Sequence, residues 1–358
     1  MATTSTPGAG DLSLGILSFT SYLEAGVSAA RSLEDGITLF QHAEALGVDG
    51  GWLRVRHFER ALTGAFPYLA ALARETRTLR LGTAVVPIAG ESPVRLAEDA
   101  ATVDLLARGR LELGVSHGIL SHVPGLAAAF EEAYGHGDLQ GEEPRAAWVL
   151  RRFLLGISGA ELAKVPDDLR LQFTHEGEGL RIYPSSPRLP ERIWYGSGRA
   201  ESAVRAAQLG LNLQLSTINT ATHAEGVARQ QAEILDAYHD ALDPAALGVP
   251  DPRPREVSIS RYVLVWTSDA EREALLAAAE RHIPGVTERF GEGWKVGTVD
   301  EVVAQLEQDA ALTRARELLP TTLLANLPSQ LGLDLTERLV ETLATRVAPR
   351  LGWTPAGG

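Results

Sequence analysis

Gly196-Ser197-Gly198-Arg199-Ala200-Glu201-Ser202 has the composition of an anion cradle. Its glycines let backbone N–H groups come close to a phosphate, the segment after it presents a helix N-terminus, and Arg199 or Ser202 can add donors. A glycine-rich turn with a helix cap is spelled the same way, so spacing alone leaves both readings open. No G-x-G-x-x-G opens the first strand-helix turn and no G-x-x-x-x-G-K-[ST] occurs, which disfavours a Rossmann dinucleotide site and P-loop chemistry. Elsewhere, His57 offers a ring that donates, accepts or changes charge near neutral pH. Arg56 beside it is a fixed cation for an anionic cofactor or substrate. The plain alternatives are a capping or packing histidine and an exposed arginine. Ser116 and His117 can orient a cofactor or simply form a turn. His117 with His122 lacks the carboxylate spacing of zinc helices, so both read as surface histidines.

These residues need elements to bring them together. Leu79–Val86 and Leu111–Val115 are apolar runs without clean alternation, and the segment from Pro93 to about Ala107 between them reads as a helix, with Pro93 in its first turn and Gly109 past its end. This is a βαβ unit. Leu12–Phe19 and Val48–Val55 are earlier strand candidates, separated by a helix for which Ser32 is the candidate N-cap and Gly47 the stop. A helix over Ala65–Thr76 completes the second unit, and Glu142–Leu155 resumes helical spacing after the fourth strand. Arg192–Tyr195, Leu211–Leu215, Val257–Trp266 and Leu318–Leu324 supply four further strands. The helices predicted around them cover Arg199–Leu209, Thr222–Asp240, Ser268–Ala279, Val299–Ala310 and Leu335–Val347.

Eight strands in mostly alternating order predict a (β/α)8 TIM barrel with an excursion between the fourth helix and fifth strand. LRLQF and GLRIYP are expected as short strands of that excursion, and ERFGEGWKVGT as an irregular piece. A barrel gathers its active site at the C-terminal strand ends, which is where Arg56, His57, Thr83–Val86, Ser116, His117 and Gly196–Ser202 fall. Trp52, Trp194 and Trp266 read as core residues, and Trp294 as a pocket residue.

The chain of 358 residues reads as one barrel domain over 11–358 behind a loose tail, 1–10. Its 46 acidic and 33 basic residues give a formal charge of −13, which opposes nucleic acid as a partner. No apolar run is long enough for a membrane span. The absence of cysteine excludes thiolate catalysis and is compatible with a cytoplasmic location.

LGTAVVP at Leu81–Pro87, continued by SPVRLAEDAATVDLLARGRLELGVSHG to Gly118, resembles the bacterial luciferase-like, flavin-dependent monooxygenase family. GVDGGWLRVRHFE, IWYGSGRAESAVRAAQLG, LSTINTATH, VGTVDEVVAQL and VAPRLGW extend the resemblance over nearly the whole chain. It implies a barrel, commonly dimeric, that takes reduced FMN from a separate flavin reductase and reacts it with O2 to a C4a-peroxyflavin. A related branch uses F420 for hydride transfer. The resemblance implies a cis peptide at Ala84–Val85 behind the flavin ring, and Ser197, Gly198, Arg199 and Ser202 around its phosphate. His117 stands where luciferase carries an arginine, and Ser116 where it carries a reactive cysteine. The family's Glu-His-His appears as Val55-Arg56-His57, with Arg56 at the catalytic histidine position, a departure that weighs against light emission and the luciferase-type aldehyde reaction without deciding either. The implied function is FMNH2-dependent oxygenation of a small or medium organic substrate by hydroxylation, epoxidation or Baeyer–Villiger insertion. F420-dependent hydride transfer and a non-catalytic flavin-binding or partner-binding barrel are the alternatives.

Overall fold

The computed structural model describes residues 8–22, 27–118, 144–217, 226–243, 245–282, 285–288, 291, 293–328 and 331–355. The strands are β1 (Leu12–Ser18), β2 (Gly50–Leu53), β3 (Arg80–Thr83) with its two-residue continuation β4 (Val86–Pro87), and β5 (Leu111–Ser116). They continue with β6 (Ile193–Ser197), β7 (Asn212–Leu215), β8 (Val257–Trp266), β9 (Trp294–Thr298) and β10 (Thr321–Asn326). All pair in parallel, and β10 bonds both β8 and β1, so eight strands close a barrel while β9 lies outside it on the second half of β8. The helices are α1 (Ala29–Ala45), α2 (Ala65–Glu75), α3 (Pro93–Leu106), α4 (Arg145–Ile157), α5 (Ala200–Gln208), α6 (Val227–Asp240), α7 (Asp269–His282), α8 (Val299–Glu307), α9 (Ala310–Leu318) and α10 (Leu333–Thr342). None of them is long and apolar enough to cross a membrane.

Two apolar clusters separate the faces of the strands. The large one joins outward residues such as Leu53, Val55, Leu81 and Leu113 to the helices, whereas Leu17, Trp52, Ala84 and Leu324 form a small cluster inside the ring. Trp52 fills the lumen because three strands give way to it. A Cβ at Gly15, Gly50 or Gly82 would come within 2.6, 2.4 and 2.4 Å of its indole. Below Trp52, at the N-terminal strand ends, Arg80 bonds Glu256 at 2.9 Å and Glu112 accepts from Trp194 Nε1 at 2.6 Å, closing the floor with paired charge. The turns that carry the candidate residues lie at the opposite, C-terminal ends of the strands.

Several local expectations need correction. The N-cap of α1 is Ser28, whose Oγ accepts from the Arg31 amide, and Ser32 is buried inside the helix, donating to the Ser21 carbonyl at 3.0 Å. LRLQF and GLRIYP form no strands; Ala163 and Leu180 make one isolated bridge, and Phe173 is 92% exposed. Apolar residues alone do not make a strand where no neighbouring strand takes their backbone groups. Part of the Gly-rich late piece is instead the strand β9. The helix from Val299 ends at Glu307, and α9 starts afresh behind Asp309, whose carboxylate caps it at the Leu312 amide. Of the loose tail, residues 8–10 are held, Gly10 donating to the Arg316 carbonyl at 2.7 Å, and 1–7 lie outside the described residues.

Candidate functional site

The widely spaced turns meet at the C-terminal mouth. The Ala84–Val85 peptide is cis. A Cβ on Gly196, at the end of β6, would touch Val85 Cγ1 at 3.0 Å and Ser116 Cβ at 3.5 Å, so three separate turns share one wall there. Only a residue without a side chain lets them close up. Ser116 Oγ accepts from the Gly118 amide at 3.2 Å, and the His117 ring meets the Tyr195 ring edge-on with centroids 6.0 Å apart. His117 is exposed, yet the protein around its ring and the positive charge of Arg205 hold it below its ordinary pKa. It therefore stays neutral near pH 7.

The predicted cradle continues this wall. Ser197 is buried and Ser202 half-buried, with their hydroxyl oxygens 2.5 Å apart, and Ser202 Oγ donates to the Arg199 carbonyl at 3.0 Å. Arg199 is the N-cap of α5 in extended conformation, and the first intrahelical bond runs from the Ala203 amide to its carbonyl. The amides of the first turn thus remain outside the helix ladder, as an anion site requires. Arg199 and Glu201 are the exposed charges of this turn, and Arg205 follows one helical turn later. The Ser197 and Ser202 hydroxyls, the first-turn amides and Arg199 at this strand-helix junction are groups that suit a phosphate, while Arg205 stands in the last turn of the helix.

Arg56 and His57 sit across the mouth, beyond β2, and they diverge. Arg56 Nη1 approaches Glu59 at 3.9 Å, whereas His57 Nε2 lies 4.0 Å from Glu91 on the turn before α3. Burial keeps the His57 imidazole below its ordinary pKa and raises the Glu91 carboxyl, with Asp99 adding to the latter. His122 lies outside the described residues, which contain no cluster of potential metal ligands.

Sequence reasoning passed over Arg54 and Tyr262. Alternation along Trp52-Leu53-Arg54-Val55 turns Trp52 and Arg54 into the lumen, since Leu53 and Val55 belong to the outer core. The Arg54 guanidinium is buried and lies over the Phe19 ring at 5.5 Å. Its Nε and Nη2 find no acceptor among the described residues. Burial, then the charge of Arg56, pushes its pKa down to about 10. Tyr262, half-buried on β8, stacks on Trp294 with centroids 4.3 Å apart; burial raises the phenol's pKa, and Arg54 and Arg56 counter it. Trp294, read from the sequence as a pocket residue in an irregular segment, begins the strand β9 and packs partly buried against the core. Trp52 and Trp194 are fully buried and Trp266 partly so. A cavity of about 120 Å³ bounded by Phe19, Ser32, Leu39 and Thr336 lies between β1 and helices α1 and α10, and holds none of the cradle residues.

Proteins similar to this chain include named monooxygenases, and solved structures of this fold include both monooxygenases and F420-dependent enzymes. N-acetyl-S-alkylcysteine monooxygenase of Bacillus subtilis is 26% identical over 287 residues, spanning 79% of this chain and 76% of that protein. The oxygenase component of the flavin-dependent trigonelline monooxygenase of Acinetobacter baylyi is 24% identical over 264 residues, 70% of this chain and 63% of that one. Among solved structures, monooxygenase RslO1 from Streptomyces bottropensis superposes with a TM-score of 0.70 at 21% identity, covering 95% of this chain and 99% of that one. The oxygenating constituent of 3,6-diketocamphane monooxygenase from Pseudomonas putida, in complex with FMN, gives 0.66 at 16% identity, with 94% and 98% covered. These two structural likenesses speak for the fold. Residues 13–322 match the family described as luciferase-like monooxygenase, and the chain belongs to that family of flavin-dependent oxidoreductases.

Proposed function

We propose that this protein is the oxygenase component of a two-component system that uses reduced FMN and O2 to oxygenate a small or medium organic substrate. The observation that carries this reading is the meeting of Val85, Ser116 and Gly196 beside the Ser197 and Ser202 hydroxyls at the C-terminal end of the barrel. That wall fits a flat ring bearing a phosphate. In this reading Ser197, Gly198, Arg199 and Ser202 hold the phosphate through hydroxyls, first-turn amides and a cation. Ala84 and Val85 back the ring, with Ser116 and His117 beside them. A bound reduced flavin would supply the oxygen chemistry, and the residues of this chain would bind, orient and shield it. Arg56 contributes fixed positive charge and cannot serve as a base near neutral pH. His57, kept neutral by burial, is the proton acceptor of the pair.

A separate reductase as partner is supported by the trigonelline relative, which is named as an oxygenase component. FMN as the flavin is supported by the diketocamphane structure, which contains it. A homodimer and a cytoplasmic location complete the reading, the first on family resemblance and the second on the cysteine-free composition.

The test is to load the protein anaerobically with reduced FMN, admit O2 and follow the flavin spectrum. Reoxidation slower than that of free FMN, through a transient absorbing species, is expected. Ser202→Ala should weaken reduced FMN on the order of tenfold, the effect of one charge-assisted hydrogen bond. Reoxidation at the rate seen in buffer, together with binding of F420, would overturn the reading in favour of hydride transfer.

A further inference from the structure

Arg54 is the buried cation that the proposed oxygenation does not use. Its side chain faces the lumen mouth from the end of β2, and its exposure is only 8%. The donors without an acceptor, Nε and Nη2, are not two scattered atoms. They form one edge of the guanidinium plane, where two parallel N–H bonds match the two oxygens of a carboxylate. The guanidinium lies over the Phe19 ring at 5.5 Å, and both donors of that edge are buried, so a ligand reaches them only by displacing what covers the rim. The same chain shows what such an edge does when a carboxylate meets it. Arg261 donates Nε to Asp309 Oδ2 at 2.7 Å and Nη2 to Asp309 Oδ1 at 2.9 Å.

We propose that Arg54 receives a carboxylate of the substrate in the two-bond geometry in which Arg261 holds Asp309, so that this enzyme acts on carboxylate-bearing molecules. Arg56 adds a second positive charge above Arg54, and the Tyr262 phenol, within electrostatic reach of both, is the neighbouring neutral donor. Tyr262 and Trp294 present a stacked aromatic wall for the apolar part of the same molecule. Glu59 is the acidic group that acts on Arg54, and it is 61% exposed and directed to Arg56, so it does not occupy the fork. An unpaired buried cation is otherwise costly to keep, and a ligand anion is the partner that offsets it.

This inference rests on the oxygenase reading for the meaning of the word substrate, but its test does not need turnover. Benzoate and hexanoate are titrated into the full-length protein, with and without FMN, against the neutral benzamide and hexanamide. At least one carboxylate should bind on the order of 10- to 100-fold more tightly than its amide. In Arg54→Met that preference should vanish while the amide and FMN affinities stay as in wild type. Arg54→Lys, which keeps the charge and loses the fork, should retain only a minor part of it. Equal binding of acids and amides, or a preference that survives Arg54→Met, overturns the proposal. So does a loss of FMN affinity in Arg54→Met without change in acid binding, which would assign the fork to the flavin. Failure of the oxygenase reading shows separately, as carboxylate binding intact in a protein that leaves FMN reoxidation unchanged.

Discussion

Two buried arginines of this barrel have opposite surroundings. Arg261, on the outward face of β8, is 1% exposed and shares Asp309 with Lys295, whose Nζ lies 2.8 Å from Oδ2. Arg54, on the inward face at the end of β2, is almost as deeply buried and meets an aromatic face but no carboxylate among the described residues. The first arrangement ties β8 and β9 to the start of α9 and is complete within the chain. The second leaves buried donors without an acceptor among the described residues, just beyond the C-terminal end of β2. Position explains the difference: outward residues face helices that can supply a counter-charge, whereas inward residues at the mouth face the binding space. Stability is built on the outside of the strands and recognition at the inner upper rim.

The largest test of that contrast is to remove the shared carboxylate. Asp309→Asn leaves Arg261 and Lys295 buried without their anion and also weakens the cap of α9, so denaturant unfolding should register a loss of about 3–5 kcal/mol. A loss below 1 kcal/mol would mean that the outer cluster is not the tie described. Proton binding gives a smaller reading of the same pair. Burial alone would raise the Asp309 carboxyl, but Arg261 and Lys295 hold it at about 2 against an ordinary 3.8. A depressed carboxylate contributes stability that is fully present above pH 3.8 and lost as pH falls towards 2. At 1.36 kcal/mol per pKa unit, the gap between wild type and Asp309→Asn should narrow by about 2 kcal/mol between pH 5 and pH 2. A constant gap would locate the strength of the cluster in packing instead of charge.

The same inside-outside logic decides what could be read from the amino-acid sequence. The barrel was legible because buried parallel strands such as Val257–Trp266 are short apolar runs and the helices between them carry caps and stops. The late strand β9 was hidden by the glycines of ERFGEGWKVGT, since its pairing to Tyr262–Trp266 comes from a neighbour distant in sequence. LRLQF misled for the converse reason, apolar composition without a neighbour. At the site, Gly196–Ser202 and Ala84–Val85 stood out by local spelling or by family motif, but their contact is a property of the closed ring. Arg54 was missed although its signal was present. Trp52, Arg54 and Arg56 alternate with Leu53 and Val55, and a charge in phase with a lumen tryptophan marks the rim.

The smallest expected effect has the opposite sign and sharpens the contrast most. Arg54→Met replaces a buried cation whose fork lacks an acceptor with an apolar side chain of similar length, where burial and Arg56 already disfavour the charged form. Leaving such donors desolvated costs about 1–3 kcal/mol, and the contact with Phe19 returns part of that through its cation–π term. The variant should therefore be more stable than wild type by about 1 kcal/mol in the absence of carboxylate, a gain of about 1–2 °C in Tm for a chain of this length. Saturating benzoate or hexanoate should raise the wild-type Tm and leave that of the variant in place, closing the difference. If Arg54→Met unfolds more easily than wild type with no ligand added, Arg54 is a structural residue like Arg261, and the inner rim is built on the same principle as the outer face.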